Sequence, residues 1–242
     1  MENLREECRT LSNKYSMKTI GELAHVFDLR DEMFLFSKSA IRDVIDAMIG
    51  DLVTRTEEIA NKQITLKTIG ATKAGNKKFD NKLFMVDFND LLDKNITFEQ
   101  SQFYKYFSDN VFVYAMYEFP DKKVYNQGDC RFLGFKVLEF DNQFIDTHVK
   151  KVWNIMRELI FNGRLKDVPA LDKYGDPIIN PSGTIRSAPN FPKSSDGIVF
   201  IRGGGINSKI KPLEINGIKM YQQSVWLRGD YVLDRLFSEA FL

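Results

Sequence analysis

The apolar run at residues 111–117 constrains the fold more than any other segment, because all seven of its residues are apolar. A strand that is apolar on both faces is typical of the centre of a sheet covered on both sides. Further strands are predicted by β-branched or aromatic runs at residues 63–69, 83–88, 132–139, 198–202 and 221–227. The chain is therefore expected to form a sheet around residues 111–117.

Four segments carry apolar residues at helical spacing and are expected to flank this sheet. They lie at residues 17–27, with Ser16 as the N-cap, and at 39–53, 147–161 and 231–241. Asn162 and Gly163 predict the end of the third helix. Residues 164–197 are rich in Pro, Gly, Ser and Asp, which predicts a long loop. The expected fold class is α/β in the mixed α+β sense, with a central mixed sheet flanked by helices in one domain over residues 1–242.

Composition excludes several classes of protein. With 43% hydrophobic and 28% charged residues, the chain is globular rather than disordered. No apolar run approaches the ~20 residues of a membrane span, and the charged N-terminus lacks the apolar core of a secretory signal. Cys8 and Cys130 have no metal-site spacing, which favours a reducing, cytoplasmic location. His25 and His148 are the two histidines, which excludes His-rich metal sites and disfavours a Ser-His-Asp hydrolase.

Positive charge is concentrated in two segments although the net charge of the chain is only +1. Residues 61–82 hold six lysines against Asp80 alone. Residues 183–228 hold seven Lys and Arg residues against Asp196 and Glu214. The two segments either form one cationic surface for a polyanion or are separate solvated loops.

A group of charged residues in the first third of the chain has the pattern of a nuclease site. Thr65 and Lys67 are expected on one face of their strand, Glu58 lies seven residues before Thr65, and Asp46 lies in an otherwise apolar helix face. Such sites use two carboxylates to hold Mg²⁺ and a lysine to orient the attacking water. The alternatives are an exposed strand lysine near a surface acid, or a direct pair between Lys67 and Asp46 without metal.

Six segments in a fixed order carry a resemblance to a known family. They are Ile45–Gly50, Ile64–Ile69, Thr97–Ser101, Val152–Met156, Arg202–Asn207 and Ser224–Arg228. The series resembles the MutH-like nucleases, which comprise the mismatch-repair strand-nicking enzyme and the related type II restriction enzymes that cut at GATC. The resemblance covers residues 17–242 and implies a restriction-endonuclease-like, MutH-type fold.

The resemblance implies roles for the acidic residues and the lysine. Asp46 matches an acidic residue that the family carries in an apolar helix. Glu58 matches the family's first metal-binding carboxylate, and Lys67 matches its catalytic lysine. Thr65 stands where the family has its second metal carboxylate. The implied cofactor is Mg²⁺, held by Asp46 and Glu58 weakly or not at all, because a threonine hydroxyl is neutral.

The resemblance also implies a DNA-binding side. Arg202 and Asn207 match the family's basic turn, although Gly203 and Gly204 stand where it has Pro and Lys. Arg228 matches a lysine of the last strand. The glycine segment 203–205, which includes Gly204, is expected either to admit a phosphate close to the backbone or to form a flexible turn. The arginines are expected to read guanine or contact phosphate.

Three further residues are assigned to the DNA-binding side with alternatives left open. Trp226 matches an aromatic residue near the bases, or is core. Glu99 and Ser101 either face DNA or cap a helix or turn.

The sequence is consistent with three functions. The chain most resembles the C-terminal half of a two-domain enzyme, a non-catalytic effector that binds double-stranded GATC DNA and promotes cleavage by a catalytic nuclease domain in the same or another chain. The alternatives are an active Mg²⁺-dependent endonuclease and a protein-interaction or dimerisation module. An excised domain and a free-standing protein are both consistent with the length, and dimerisation is left open.

Overall fold

The computed structural model describes residues 2–29, 37, 39–50, 62–72, 79–120, 126–181, 183–205 and 210–238. The strands are β1 (Gln63–Ala71), β2 (Asn81–Met85), β3 (Asn110–Glu118), β4 (Arg131–Leu138), β5 (Asp167–Pro169), β6 (Ser187–Pro189), β7 (Val199–Gly204), β8 (Leu213–Ile215), β9 (Ile218–Met220) and β10 (Gln222–Leu227). The α-helices are α1 (Glu2–Tyr15), α2 (Ile20–Val26), α3 (Ala40–Ile49), α4 (Phe88–Leu92), α5 (Gln102–Ser108), α6 (Asn142–Phe144), α7 (Lys150–Phe161) and α8 (Gly229–Ser238). A π-helical turn, Ile145–Val149, precedes α7.

The chain divides into two compact units, each assembled from separate segments. Unit 1 comprises Met1–Phe79, Asp109–Phe140 and Gly229–Leu242, and unit 2 comprises Asp80–Ser108 and Asp141–Arg228. The expected single domain over residues 1–242 stays a prediction. No described helix combines the length and apolar character needed to cross a bilayer.

Unit 1 is built on the sheet β1-β3-β4, in which β3 is central. β1 runs parallel to β3, and β4 runs antiparallel to it. Residues 110–116 of β3 are all buried, which confirms the prediction of a central strand covered on both faces. Ser12 of α1 fastens the helix to β4, because its hydroxyl donates to Cys8 O at 2.6 Å and accepts from Phe135 N at 2.8 Å.

Lys136 is a buried cation in unit 1, with 2% of its surface exposed. It lies on β4 opposite Tyr114, and its Nζ donates to the carbonyl of Leu236 in the last turn of α8. A lysine that donates to a carbonyl near the C-terminal end of a helix interacts favourably with the helix dipole. The contact joins the last helix to the sheet.

Unit 2 is built on the antiparallel sheet β2-β10-β7. Its central strand, β10, buries Val225 and Leu227 completely. The hairpins β5–β6 and β8–β9 also belong to the unit. Between β5 and β6, isolated bridges join Leu171 to Pro177 and Ile179 to Ile185, so each closes a smaller turn. The hairpin β5–β6 lies where the sequence predicts a loop, because Gly175 and Gly183 supply left-handed turns between short paired runs.

The structure corrects two expectations about secondary structure and adds one helix. The strands form two three-stranded sheets instead of one central sheet, because β2 pairs with β10 and not with β1 or β3. Helix α2 begins after Thr19 and not after Ser16, since Thr19 and Glu22 form a reciprocal capping box. Helix α1 was not predicted at all. The coarser prediction of a mixed α and β chain is confirmed.

Candidate functional site

Arg202 on β7 packs its guanidinium over two aromatic rings of unit 2. Its Cζ lies 4.8 Å from the ring centroid of Trp226 and 5.0 Å from that of Phe200. The two rings are nearly parallel, with an interplanar angle of 21°, and the residues oppose each other across β7 and β10. A cation over aromatic faces is attracted by their quadrupoles, so this packing fixes the direction of the arginine.

Asp80 forms an ion pair with one edge of the same guanidinium. Arg202 Nη2 lies 2.7 Å from Asp80 Oδ2, and the side chains are 44% and 26% exposed, respectively. The arginine is therefore oriented before any ligand arrives, while part of it stays accessible to solvent. An arginine held in this way loses less conformational freedom on binding than a mobile surface arginine.

Lys82 adds a second cation on β2, the strand that pairs with β10 on the side opposite to β7. It is exposed on β2 and pairs in register with Trp226 of β10. Trp226 is half-buried, and its Nε1 has no hydrogen-bond partner among the described residues. Lys82, Phe200, Arg202 and Trp226 together form what we call the aromatic–cation face.

A cleft of about 580 Å³ in unit 2 shares Arg202 with this face. Its lining includes four cationic residues, Arg186, Lys193, Arg202 and Lys211, and no Asp or Glu among the described residues. Apolar walls are supplied by Phe191, Phe200 and Met220, all of them buried. A concave wall that carries one sign of charge focuses the electrostatic field and favours an anionic ligand.

Acidic residues near the cleft neutralise only part of this charge. Lys211 Nζ lies 3.5 Å from Asp167 Oδ2, and Arg202 is paired with Asp80 as described. The side chains of Arg186 and Lys193 form no ion pair with any described residue, and both residues are exposed. Two of the four cations are therefore available to an incoming anion.

The glycines at the end of β7 differ in the space around them. A Cβ added to Gly203 would lie 2.9 Å from Gln223 Nε2, and one added to Gly205 would lie 2.5 Å from the Tyr221 ring. A Cβ added to Gly204 would meet no atom within 4 Å. The close approach of a phosphate to the Gly204 backbone stays a prediction, and the space it needs is open.

Ser101 and Glu99 make local contacts in unit 2. Ser101 is fully buried, and its hydroxyl donates to Phe98 O at 2.5 Å and accepts from Tyr104 N at 3.3 Å. Glu99 is exposed and pairs with Lys150 Nζ at 3.2 Å. Its own backbone N–H, and then Lys150, lower the pKa of Glu99. Of the two sequence-based alternatives for Ser101, these contacts favour the cap.

The other predicted DNA-side residues are placed only in part. Arg228 follows β10, is half-buried and donates its backbone N–H to Ile198 O at 2.9 Å. Its side chain does not line the cleft. Asn207 lies outside the described residues.

Asp46, the predicted helix acid of unit 1, lies on the exposed side of α3. The expectation that it occupies the apolar face is wrong, because 47% of its side chain is exposed. Both of its carboxylate oxygens accept from Arg42 Nε at 2.8 Å. The same guanidinium donates through Nη1 to Leu66 O at 2.8 Å. Arg42 therefore connects Asp46 to β1 between Thr65 and Lys67.

Thr65 and Lys67 share the half-buried face of β1, as predicted, and alternate with buried Ile64 and Leu66. Thr65 Oγ1 lies 2.6 Å from Asn110 Oδ1 and donates to it. The partner of Asp46 in the structure is Arg42, four residues earlier on the same helix, where sequence reasoning suggested Lys67. Glu58 lies outside the described residues.

Asp46 and Thr65, two of the residues at the predicted metal site, both bind other protein groups in the structure. Asp46 already has a guanidinium on both oxygens, and the Thr65 hydroxyl donates to an amide. Within the described ranges, no three His, Cys, Asp or Glu side chains come together as a metal site. Mg²⁺ prefers several anionic or water oxygens. Binding of Mg²⁺ by Asp46 and Glu58 stays a prediction.

Sequence reasoning missed several residues that the structure places at these sites. The cleft residues Arg186, Lys193, Lys211, Tyr221 and Gln223 were not singled out, although the charge excess over residues 183–228 indicated the segment. Arg42 was also missed. Its spacing of four residues from Asp46 on a predicted helix was the signal that could have found it.

No protein-family model matches the chain, and no curated protein is significantly similar to it. The resemblance to MutH-like nucleases therefore stays a prediction based on the order of short segments.

Proposed function

We propose that the chain is a non-catalytic, double-stranded-DNA-binding effector domain of a restriction endonuclease that recognises GATC. The observation that carries the proposal is Arg202, oriented by Phe200, Trp226 and Asp80 at the border of a cleft lined by cations. A catalytic nuclease domain, in the same or another chain, would carry out the cleavage that DNA binding here promotes.

The charge around Arg202 supports a polyanionic partner. Lys82 lies on the same sheet, and Arg186 and Lys193 have no acidic partner among the described residues. Phosphate contacts of this kind supply most of the affinity of a protein for DNA and position it on the duplex. Lys105 on α5 is exposed and does not line the cleft. Replacing Lys105 by Ala therefore removes one positive charge without changing the cleft, and this variant is a control for substitutions of the cleft lysines.

The geometry of Arg202 supports a role in reading bases as well. A planar guanidinium with one edge on Asp80 still has donors on its other side. Two parallel donors match the O6 and N7 acceptors of guanine in the major groove. GATC contains one guanine on each strand, so an arginine of this kind suits the proposed site.

The non-catalytic part of the proposal is supported by the residues around Asp46. A guanidinium already neutralises the carboxylate, and Thr65 supplies a hydroxyl where the nuclease pattern has a second acid. Two carboxylates that hold Mg²⁺ are what the hydrolysis of a phosphodiester needs in this pattern. We therefore favour the effector over the active endonuclease.

The test measures binding of a fluorescent GATC duplex by anisotropy, from about 50 mM to about 200 mM salt. We expect binding that weakens steeply with salt and a loss of about 1–3 kcal/mol in Arg202→Ala. Arg164→Ala is the matched control, because Arg164 is also an exposed arginine paired with an acid, Glu158. Absence of binding to any duplex at low salt would favour the protein-interaction module instead.

A second assay separates the effector from the nuclease. A GATC plasmid is incubated with Mg²⁺ and the protein, and we expect no nicking. Robust cleavage by the unchanged chain would overturn the effector proposal in favour of the active endonuclease.

A further inference from the structure

We propose that the cleft of unit 2 receives one unstacked nucleotide of the bound DNA, with its base against the apolar wall and its flanking phosphates on the cationic rim. This inference rests on the proposed DNA-binding function. It concerns a different event, the removal of one base from the helical stack.

The lining of the cleft has the two chemical characters that a nucleotide requires. Arg186, Lys193 and Lys211 supply positive charge, and Phe191 and Met220 supply buried apolar surface. A site for phosphate alone would not need an apolar wall, and an apolar ligand would not need four cations. The volume of about 580 Å³ lies within the range of small-molecule sites, which hold about 300–1,000 Å³.

Two side chains in the cleft, one aromatic and one a primary amide, are suited to contact with a base. Tyr221 is half-buried, and its ring packs against the backbone of Gly205, where an added Cβ would lie 2.5 Å away. Gln223 is buried, and its Nε2 donates to Tyr221 O at 2.7 Å. Its side-chain amide lines the cleft and offers the donor and acceptor types that a base edge pairs with. Stacking on an aromatic ring together with amide hydrogen bonds is how proteins hold extruded bases.

The cations favour a nucleotide that belongs to a strand over a free one. They line the cleft from separate segments, and even the two that have no acidic partner among the described residues, Arg186 and Lys193, would have to share the single phosphate of a mononucleotide. Arg202 lines the cleft and also forms part of the aromatic–cation face, so a strand bound at that face has the cleft beside it.

Removing a base from a duplex costs the free energy of its pairing and stacking, and this cost is smaller when the base is already mismatched. The experiment therefore places one mismatch at successive positions within and beside GATC and measures each affinity by anisotropy. We expect tighter binding, by about tenfold, for a mismatch at one position only. The ratio of mismatched to matched affinity is the quantity compared between variants.

Tyr221→Leu should lower this ratio towards one, because it removes the ring on which the base stacks. Lys193→Ala should also lower it, and this exposed residue can be changed without disturbing the packing of the unit. Tyr174→Leu and Lys105→Ala are the controls. Tyr174 is 77% exposed on the β5–β6 hairpin, Lys105 is exposed on α5, and neither lines the cleft.

The outcomes separate the inference from the proposed function. A duplex that binds with equal affinity whether matched or mismatched at every position overturns the inference and leaves the DNA-binding proposal standing. Absence of duplex binding overturns both. Deoxynucleoside monophosphates are titrated in parallel. If they bind, if Tyr221→Leu weakens that binding, and if mismatches leave the duplex affinity unchanged, the cleft takes a free nucleotide and the inference is wrong.

Discussion

Arg202 and Asp80 form an ion pair in unit 2 whose nitrogen and oxygen atoms lie 2.7 Å apart, although 122 positions separate them in the sequence. The acid comes directly before β2 and the arginine lies on β7, so the pair connects the two outer strands of the sheet. It directs a cation that also packs on Phe200 and Trp226. The negative charge of Asp80 beside a proposed DNA contact repels phosphate. The contribution of Asp80 to DNA binding is therefore that it orients Arg202.

Replacing Asp80 by Asn should therefore reduce sequence discrimination while it raises affinity for DNA in general. Loss of the negative charge removes a repulsion, and loss of the ion pair frees the guanidinium. Anisotropy with GATC and scrambled duplexes measures both effects. Glu158→Gln, which removes the acid from the exposed pair with Arg164, is the control. Unchanged discrimination in Asp80→Asn would show that the pair does not orient Arg202 for reading.

Arg202→Lys distinguishes base reading from phosphate contact. Lysine keeps the charge but lacks the planar pair of donors, so a guanine contact should lose about 1–3 kcal/mol of discrimination. A phosphate contact would lose much less, since a point charge serves nearly as well. The measurement is the ratio of affinities for GATC and for a duplex with the guanine replaced. Arg164→Lys is the control.

Thr65→Glu should raise the affinity of unit 1 for Mg²⁺ or Mn²⁺, and more strongly when Arg42 is also changed to Ala. In the single variant, a metal ion must compete with the guanidinium that occupies both oxygens of Asp46. In the double variant, two carboxylates are free to bind the cation. Calorimetric metal titration compares the two variants with Arg42→Ala alone. Equal affinity of the single and double variants would show that Arg42 does not block the carboxylate.

His148 should make the fold less stable as the pH falls. Burial, and then the nearby charge of Lys151, lower the pKa of His148 below its ordinary value. The unfolded chain therefore takes up the proton at a higher pH than the folded chain does. The contribution of neutral His148 to the free energy of unfolding is fully present above the ordinary histidine pKa. It declines as the pH falls through that value towards the lower pKa that His148 has in the folded chain.

The measurement for His148 is the melting temperature at about pH 7.5 and at about pH 5.5. His148→Gln should show a smaller decrease between the two than the unchanged chain. His25→Gln is the control, because His25 is exposed on α2. An identical decrease in His148→Gln and the unchanged chain would contradict the prediction.

Gly70→Ala should destabilise unit 1 by about 1–3 kcal/mol. A Cβ at this position of β1 would lie 2.5 Å from the Phe119 ring and 2.6 Å from the Tyr117 ring. The Phe119 ring also packs on Phe79, with centroids 5.3 Å apart, so it has little room to move. Urea unfolding measures the change. Gly197→Ala is the control, since its nearest neighbour would be 3.7 Å away.

Local patterns predicted most strands well, because each is a short run with a clear composition. The central position of β3 followed from its apolar residues, and the end of α7 followed from Asn162 and Gly163. The division into two sheets could not be predicted in this way. Which strands pair depends on contacts distant in sequence, such as β2 with β10, and no single run encodes them.

The same distinction holds for the candidate sites. The alternation of Thr65 and Lys67 is a property of one strand, and it was predicted correctly. The packing of Arg202 on Trp226, and the gathering of Lys193 and Lys211 around one cleft, depend on the tertiary fold. Charge counted along residues 183–228 indicated a cationic region without showing its shape.

The carbonyl of Leu236 that accepts from Lys136 has a consequence for synthesis on the ribosome. Every segment of unit 2 has been made once Arg228 is added, whereas unit 1 still lacks α8. Domains generally fold as units during translation once their segments are available. Unit 1 thus receives the Leu236 carbonyl that accepts from Lys136 only with α8, so the unit that contains α1 is the later of the two to be completed.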